Sequence, residues 1–354
     1  YVLDKDKNCP AGEIASHFVL GDNLDFDSVY EFGKMVDVLT FEMEDVNVEA
    51  LIKLKSEGYR VVPDPDVLQL IQDKGLQKQF YKKIEIPSAQ FIICDSELEI
   101  LNRIKKGDIS FPFVQKLRRG GYDGKGVAVI NGEGDLEKLL KGPSVIESRV
   151  SIQKEISVIV ARNQAGDIKS FPVVEMLFNQ NANLVDKLIC PSSLTPEQSK
   201  KALDYASKII EHLKMEGLLA VEFFIDDKGD VIVNEVAPRP HNSGHHTIES
   251  VITSQFEQHL RAILNLPLGS TMLKLPSVMI NILGEEGYEG PVVYHGLTES
   301  MAIDGVKIHL YGKKITKPFR KMGHVTILAS TKKLALIKAE KVKQLIKVKS
   351  WEKS

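Results

Sequence analysis

Two apolar runs, Leu218 to Ile225 and Val231 to Val236, are joined by the turn-forming stretch Asp226-Asp227-Lys228-Gly229-Asp230. Runs of this kind around a short glycine-containing connection predict a β-hairpin. If it closes symmetrically about Lys228-Gly229, Glu222 and Glu235 face each other across it. Directly opposed residues hold their Cβ atoms about 4.5–5.5 Å apart, and two ionised carboxylates at that range repel unless a proton or a cation lies between them. Magnesium suits such a pair, because it takes one or two protein carboxylates and fills its other positions with water and substrate phosphate. The hairpin therefore reads as a platform for a metal and a nucleotide.

The chain has 354 residues, enough for two or three units that each bury a core. Lys plus Arg number 46 against 48 Asp plus Glu, so no global field draws the protein to nucleic acid or an anionic membrane, and any recognition of phosphate has to be local. Cys9, Cys94 and Cys190 are odd in number and widely spaced, which fits reduced thiols in a core rather than a disulfide frame. No apolar run approaches the roughly 18 residues needed to span a bilayer, and no basic-then-apolar leader opens the sequence. A cytoplasmic protein with neither nucleic-acid nor membrane partners is the expectation. Tyr1-Val2-Leu3-Asp4 reads as a strand met in mid-pattern, so a first strand, and the phosphate-binding loop that follows it in open α/β folds, are expected to be missing from the sequence.

In residues 1–85, short apolar runs (Phe18 to Leu20, Val36 to Phe41, Arg60 to Val62) alternate with helical stretches (Asp25 to Lys34, Asn47 to Glu57, Pro65 to Lys74), the βαβ rhythm of a parallel sheet. Residues 86–153 carry shorter strands (Phe91 to Cys94, Phe111 to Lys116, Gly126 to Ile130, Val145 to Glu147) with a helix from Ser96 to Lys106 and another after Ile130, a small α+β lid. Residues 154–354 hold longer alternating strands, a helix from Pro196 to Leu213, the acidic hairpin and a helix from Ser254 to Leu264, which predict a larger antiparallel core. In the tail, Leu334, Ile337, Val342, Leu345 and Ile346 fall near helical spacing with lysines between them, as in an amphipathic helix packed on the body.

Five further constellations could carry chemistry. The segment from Lys116 to Gly126 packs four glycines and four cations between two strands. Its backbone N–H groups could wrap phosphate oxygens, or it could be a hairpin with a solvated basic tip; Lys116, ending an apolar strand, favours the first. Glu147 and Glu155 bracket the link between lid and core, where adenine and ribose contacts are common, although either alone reads as an ordinary surface carboxylate. After the hairpin, Pro238 and Pro240 stiffen a loop holding Arg239, His241 and Asn242 near the metal, which suits a small anion such as bicarbonate. A transition-metal site at His241, His245 and His246 is disfavoured by the adjacent carboxylates and the absence of a nearby cysteine. The run from Lys313 to His324 is either a solvated charged face or a phosphate-monoester pocket, and Glu42 and Glu44 end the strand Val36 to Phe41, where ligands of open α/β sheets bind.

Taken together, Gly120-Gly121-Tyr122-Asp123-Gly124-Lys125-Gly126, Asn234-Glu235-x-x-Pro238-Arg239-x-His241-Asn242-Ser243-Gly244-His245, Ser254-Gln255-Phe256-Glu257-Gln258-His259-Leu260-Arg261 and Arg320-Lys321-Met322-Gly323-His324 resemble 5-(carboxyamino)imidazole ribonucleotide synthase, an ATP-grasp family of purine biosynthesis. The resemblance implies an α/β and α+β fold: an amino-terminal parallel-sheet domain, a small lid and a larger antiparallel core. It implies that bicarbonate attacks the γ-phosphate of MgATP (MnATP being an alternative), and that carboxyphosphate then carboxylates the exocyclic amine of 5-aminoimidazole ribonucleotide, directly or through carbon dioxide. Carried over by position, Lys74 and Lys116 contact ATP phosphates, Gly121, Tyr122, Asp123, Gly124, Lys125 and Gly126 form the loop that closes over them, and Glu147, Val150 and Glu155 hold adenine and ribose. Glu222 and Glu235, with Asn234 beside them, hold the metal; Arg239, His241 and Asn242 orient bicarbonate and carboxyphosphate. Glu42, Tyr122, Asp123, Lys125, Lys314, Arg320 and Lys321 bind the aminoimidazole nucleotide, Asp123 and Lys314 being also placed among the catalytic groups. The resemblance also implies a homodimer.

Three features depart from that family. Its amino-terminal strand and Gly-Gln-Leu-Gly-type loop are not in the sequence; Lys125 stands where relatives carry Arg, keeping the charge but not the bidentate geometry; and Phe319 replaces a common Gly. Another ATP-grasp acceptor, as in formate-dependent glycinamide ribonucleotide transformylase or biotin carboxylase, and a nucleotide sensor with a dead site are the competing readings. Tyr122-Asp123 and the segment from His241 to His245 oppose the first, and the intact set of Glu222, Glu235, Lys116 and Arg239 opposes the second.

Overall fold

The computed structural model describes residues 1–121, 126–179 and 184–351. In the amino-terminal part, Val2–Asp4 pairs in parallel with Phe18–Leu20, and Val38–Leu39 in parallel with Arg60–Val61. The helices Phe26–Gly33, Val48–Ser56 and Pro65–Gln72 pack Val29, Phe32, Leu51, Leu54 and Leu68 into one apolar cluster with these strands. The helix expected from Pro65 to Lys74 ends at Gln72, because Asp73 adopts an extended backbone (φ −112°, ψ 105°), and a second helix that was not expected follows it. The Asp73 carboxylate accepts from Gly75 N at 2.8 Å and Leu76 N at 3.2 Å, capping the second helix, Lys74–Lys83, so that Lys74 stands at its first position.

The lid sheet runs in the order Phe91–Cys94, Ser144–Ser148, Phe113–Leu117, Val127–Ile130, all antiparallel. The helix Glu97–Lys106, capped by Ser96 and ended by Gly107 in the left-handed conformation (φ 81°), buries Ile100 against it. In place of the helix expected after Ile130 there is one short 3₁₀ segment, Glu133–Lys138.

The large sheet has nine strands among the described residues. From one edge they run Val231–Ala237, Gly217–Asp226, Ile152–Arg162, Val174–Asn179, Leu184–Cys190, Ser277–Leu283, Lys321–Leu328, Val306–Leu310, with Ile168–Ser170 beside Ile152–Arg162, and every pairing is antiparallel. Alternation along the strands makes two faces. Val158, Val160, Leu219, Val221 and Phe223 turn towards the helix Pro196–His212, which lays Ala202, Ala206, Ile209 and Ile210 on the sheet. Glu155, Ser157 and Glu222 turn to the opposite face, in phase with Ile159, Leu218 and Ala220. Val67, Ile71 and Tyr81 of the amino-terminal helices join the first core, so the two parts share apolar packing.

The tail forms the helix Lys332–Leu345 and then a strand, Lys347–Ser350, paired with Gly290–His295. Its buried stripe keeps the expected Val342 and Ile346 and adds Ala335 and Ala339, while Leu334 and Ile337 are exposed. Small residues every three or four positions let the helix lie close to its neighbours.

Candidate active site

Glu222 and Glu235 are direct register partners across the hairpin. The expected symmetric closure about Lys228-Gly229 is corrected in its detail. The turn is centred on Lys228, with Asp226 N bonded to Asp230 O at 3.1 Å and Gly229 at φ 83°, which alone would place Glu222 opposite Asn234. A bulge between Glu222 and Phe223 restores the pairing: Phe223 opposes Val233, and Glu222 opposes Glu235. Val233 and Val236 both enter the core, so the extra residue turns Asn234 and Glu235 together towards the other side.

The cations reach this pair from elements remote in sequence. Lys74 Nζ donates to Glu235 Oε2 at 2.7 Å, and Lys116 Nζ donates to Asn234 Oδ1 at 2.8 Å while lying 3.1 Å from Glu147 Oε2. Lys78 Nζ lies 3.1 Å from Glu147 Oε1, with its side chain only 3% exposed. Sequence reasoning missed Lys78, whose setting in Gln77-Lys78-Gln79 looks like any helix surface; its only signal was a cation four positions after Lys74 on one helix face. It also took Glu147 alone for a surface carboxylate, whereas Glu147 is 4% exposed and held between two ammonium groups. Glu155 lies on the same sheet face as Glu222, and Val150 is half-buried in the link between lid and core.

Charge repulsion and burial set the protonation here. Burial, then Glu235 and Glu155, holds Glu222 above the usual carboxylate range, whereas Lys74, against burial, and then Lys116 hold Glu235 below it. Burial and then Glu235 raise Glu155 to about 7. Burial works against the Lys74 ammonium, but Glu235 outweighs it and keeps Lys74 charged. Glu222, Glu235 and Asn234 offer only hard oxygen donors, and among the described residues no three His, Cys, Asp or Glu are grouped to cage an ion. A divalent ion that keeps water and phosphate in its shell fits this donor set, and it would offset the burial and carboxylate repulsion that hold Glu222 above the usual range.

The loop after the hairpin closes one side. Arg239 Nε donates to Glu44 Oε1 at 2.9 Å, and Asn242 Nδ2 to Asn281 Oδ1 at 2.9 Å. His241 Nε2 lies 3.6 Å from Glu222 Oε1, and burial, then Arg239 and Lys321, pushes its ring down to about 3, so it is neutral. Glu42 is exposed at its surface, yet the protein around its carboxyl raises it against the pull of Arg239 and Lys313.

In that basic loop, Lys313 Nζ donates to Lys321 O at 2.9 Å and Arg320 Nη1 to Ile315 O at 2.6 Å. Lys314 stands apart from the carboxylate pair, exposed and 3.3 Å from Glu13 Oε1. Phe319 has φ 62°, a backbone conformation that favours glycine over a residue with a side chain. Gly121 and Gly126 flank the glycine-rich loop; Tyr122, Asp123, Gly124 and Lys125 lie outside the described residues. The base of that loop is locked, since Arg118 donates to both oxygens of Asp73 (2.9 and 2.7 Å) and Lys74 N to Arg118 O (2.9 Å). Arg118 is thus occupied by Asp73, a partner that separation in sequence concealed.

A four-stranded antiparallel lid and a large antiparallel sheet that present lysines and paired carboxylates to one cleft define an ATP-grasp protein. A family model of the ATP-grasp domain matches residues 79–256, flanked by the ribonucleotide synthetase preATP-grasp domain at 1–72 and the phosphoribosylaminoimidazole carboxylase C-terminal domain at 277–338. The chain is 35% identical over 331 residues to N5-carboxyaminoimidazole ribonucleotide synthase of Bacillus subtilis, covering 92% of this chain and 84% of that one. It is 38% identical to the chloroplastic phosphoribosylaminoimidazole carboxylase of Vigna aconitifolia over 93% of this chain, and spans 60% of that relative's length. The solved N5-carboxyaminoimidazole ribonucleotide synthetase of Thermotoga maritima superposes with a TM-score of 0.90 at 43% identity, covering 98% of this chain and 92% of that one. The Aspergillus clavatus enzyme, solved with ADP and 5-aminoimidazole ribonucleotide, gives 0.85 at 29% identity, covering 97% and 90%. The chain belongs to the N5-carboxyaminoimidazole ribonucleotide synthase family, ATP-dependent ligases of purine biosynthesis.

Proposed function

We propose that the cleft carboxylates 5-aminoimidazole ribonucleotide with bicarbonate at the expense of ATP, with magnesium, or manganese in its place, at Glu222, Glu235 and Asn234. The observation that carries this reading is the opposed pair Glu222 and Glu235, with Lys74 reaching Glu235 and Lys116 reaching the adjacent Asn234 from two other elements. When bound, the metal supplies charge neutralisation on the transferring phosphoryl group. Lys74 and Lys116 exchange their protein partners for phosphate oxygens, and Lys78 holds Glu147 in place at the nucleotide end. Arg239, His241 and Asn242 orient bicarbonate so that its oxygen attacks the γ-phosphorus in line and ADP leaves. The amine of the aminoimidazole nucleotide then attacks the carboxyl carbon of carboxyphosphate, and phosphate leaves. Glu42, Lys314, Arg320 and Lys321, with Tyr122, Asp123 and Lys125 of the glycine-rich loop, bind that nucleotide, and the loop excludes water from the acyl phosphate.

We assign these roles to units spanning residues 1–85, 86–153 and 154–354, and the enzyme to a cytoplasmic homodimer. No helix among the described residues is long and apolar enough to cross a membrane. Isotope-labelled bicarbonate tests the activity: label enters the carbamate only with ATP and the aminoimidazole nucleotide together. Glu235→Gln abolishes ADP formation, and Lys314→Ala raises KM for the aminoimidazole nucleotide about tenfold. ATP cleavage indifferent to that nucleotide, or both variants behaving as wild type, would overturn the assignment.

A further inference from the structure

We propose that Gln255 is a positioning residue for this reaction, presetting the loop that carries Arg239, His241 and Asn242 and placing the ring proton of His245 on Nε2. Gln255 opens the helix Gln255–Ile263 and is fully buried. Its Oε1 accepts from His241 N at 2.9 Å, and its Nε2 donates to His241 O at 2.8 Å. A backbone N–H can only donate and a backbone carbonyl only accept, so the orientation of the amide is forced.

The same amide nitrogen lies 2.9 Å from His245 Nδ1. Both of its hydrogens are donors, hence Nδ1 can only accept, and a neutral ring then carries its proton on Nε2. Burial keeps the ring neutral, pushing His245 down to about 3. One side chain thus holds the loop at both backbone groups of His241 and selects the tautomer of a histidine whose ring centroid is 5.1 Å from that of His324.

Two neighbours support the clamp. Gln255 N donates to Thr247 Oγ1 at 2.9 Å, and that hydroxyl donates to Gly244 O at 2.5 Å. A Cβ on Gly244 would run into the Gln255 amide, so the glycine is required by this contact and not by its own backbone angle.

The loop's task rests on the bicarbonate assignment above; the tautomer does not. The test is ¹⁵N NMR of the histidine rings in the full chain, with kinetics of Gln255→Glu, Gln255→Met and Gly244→Ala. The wild-type ring should show a bare Nδ1 and a protonated Nε2. In Gln255→Glu the neighbouring carboxylate can only accept, so Nδ1 should gain a proton. All three variants should lose about 10–100-fold in kcat while KM for ATP stays within about twofold. A wild-type proton on Nδ1 overturns the proposal without reference to any variant, as does kcat within about twofold of wild type in all three. Unaltered bicarbonate dependence in Arg239→Ala would instead overturn the loop assignment alone.

Discussion

Lys78 and Glu147 show how little of a residue's role is written next to it in the chain. Two ammonium groups, Lys78 and Lys116, share one buried carboxylate at 3.1 Å each. Removing one partner of a buried pair costs about 3–5 kcal/mol, more than the pair itself contributes. Lys78→Met should therefore lower stability by a few kcal/mol in urea unfolding and raise KM for ATP, whereas Lys83→Met on the same helix should do neither. The opposed glutamates were legible because a short turn fixes their register, but the bulge that completes the match was not: it depends on how Val233 and Val236 pack in the core. Phe319 was legible only as an odd residue, and its φ of 62° supplies the reason. An exposed aromatic side chain there gains little from burial, so Phe319→Gly should raise Tm by about 1–3 °C in calorimetry; a fall would mean the ring is needed.

At the scale of elements, the short break at Asp73 decides where Lys74 points. One carboxylate ends a helix, caps the next and takes the guanidinium of Arg118 from the base of the glycine-rich loop. Asp73→Ala should cost about 2–4 kcal/mol and weaken ATP binding, while Asp73→Asn, still able to cap, should cost less than half of that. Equal losses in the two variants would assign the effect to the ion pair alone. Helix and strand positions were largely readable from periodicity, since caps such as Asp25, Ser96, Thr195 and Ser254 stand where the helices begin. The break at Asp73 and the second helix, Lys74–Lys83, were not readable, because the partner that stabilises the break, Arg118, lies 45 residues away. The tail's buried stripe was read correctly at Val342 and Ile346 but missed Ala335 and Ala339, because alanines gave little hydrophobic signal.

For the whole molecule, burial gives the histidines a collective pH dependence. Burial, assisted by nearby cations and other histidines for His241, His245 and His324, pushes their rings to about 3, and burial alone pushes His246 and His259 to about 4. Their folded pKa values lie below the unfolded value of about 6.5, so the unfolded chain binds protons first. Stability is fully present above about pH 6.5 and is lost as pH falls below it. Urea unfolding at pH 7 and pH 5.5 should show that loss, with proton uptake on unfolding; equal stability at both would contradict the neutral, buried state of these rings. Glu155, raised to about 7, acts with the opposite sign, its contribution weakening as pH rises from about 4.5 towards 7.

The parallel strands, the lid and the large antiparallel sheet followed from alternating apolar runs, and the family from motifs spread over the chain. The contacts of Lys74 with Glu235, Lys116 with Asn234 and Arg239 with Glu44 bring together four separate segments, which no local pattern connects. The decisive measurement is electron paramagnetic resonance of manganese titrated into the protein with a non-hydrolysable ATP analogue. Wild type should bind manganese tightly with the nucleotide, and Glu222→Gln combined with Glu235→Gln should leave it free in solution while the fold is retained. Undiminished manganese binding in that double variant would show that the opposed carboxylates are not where the metal sits.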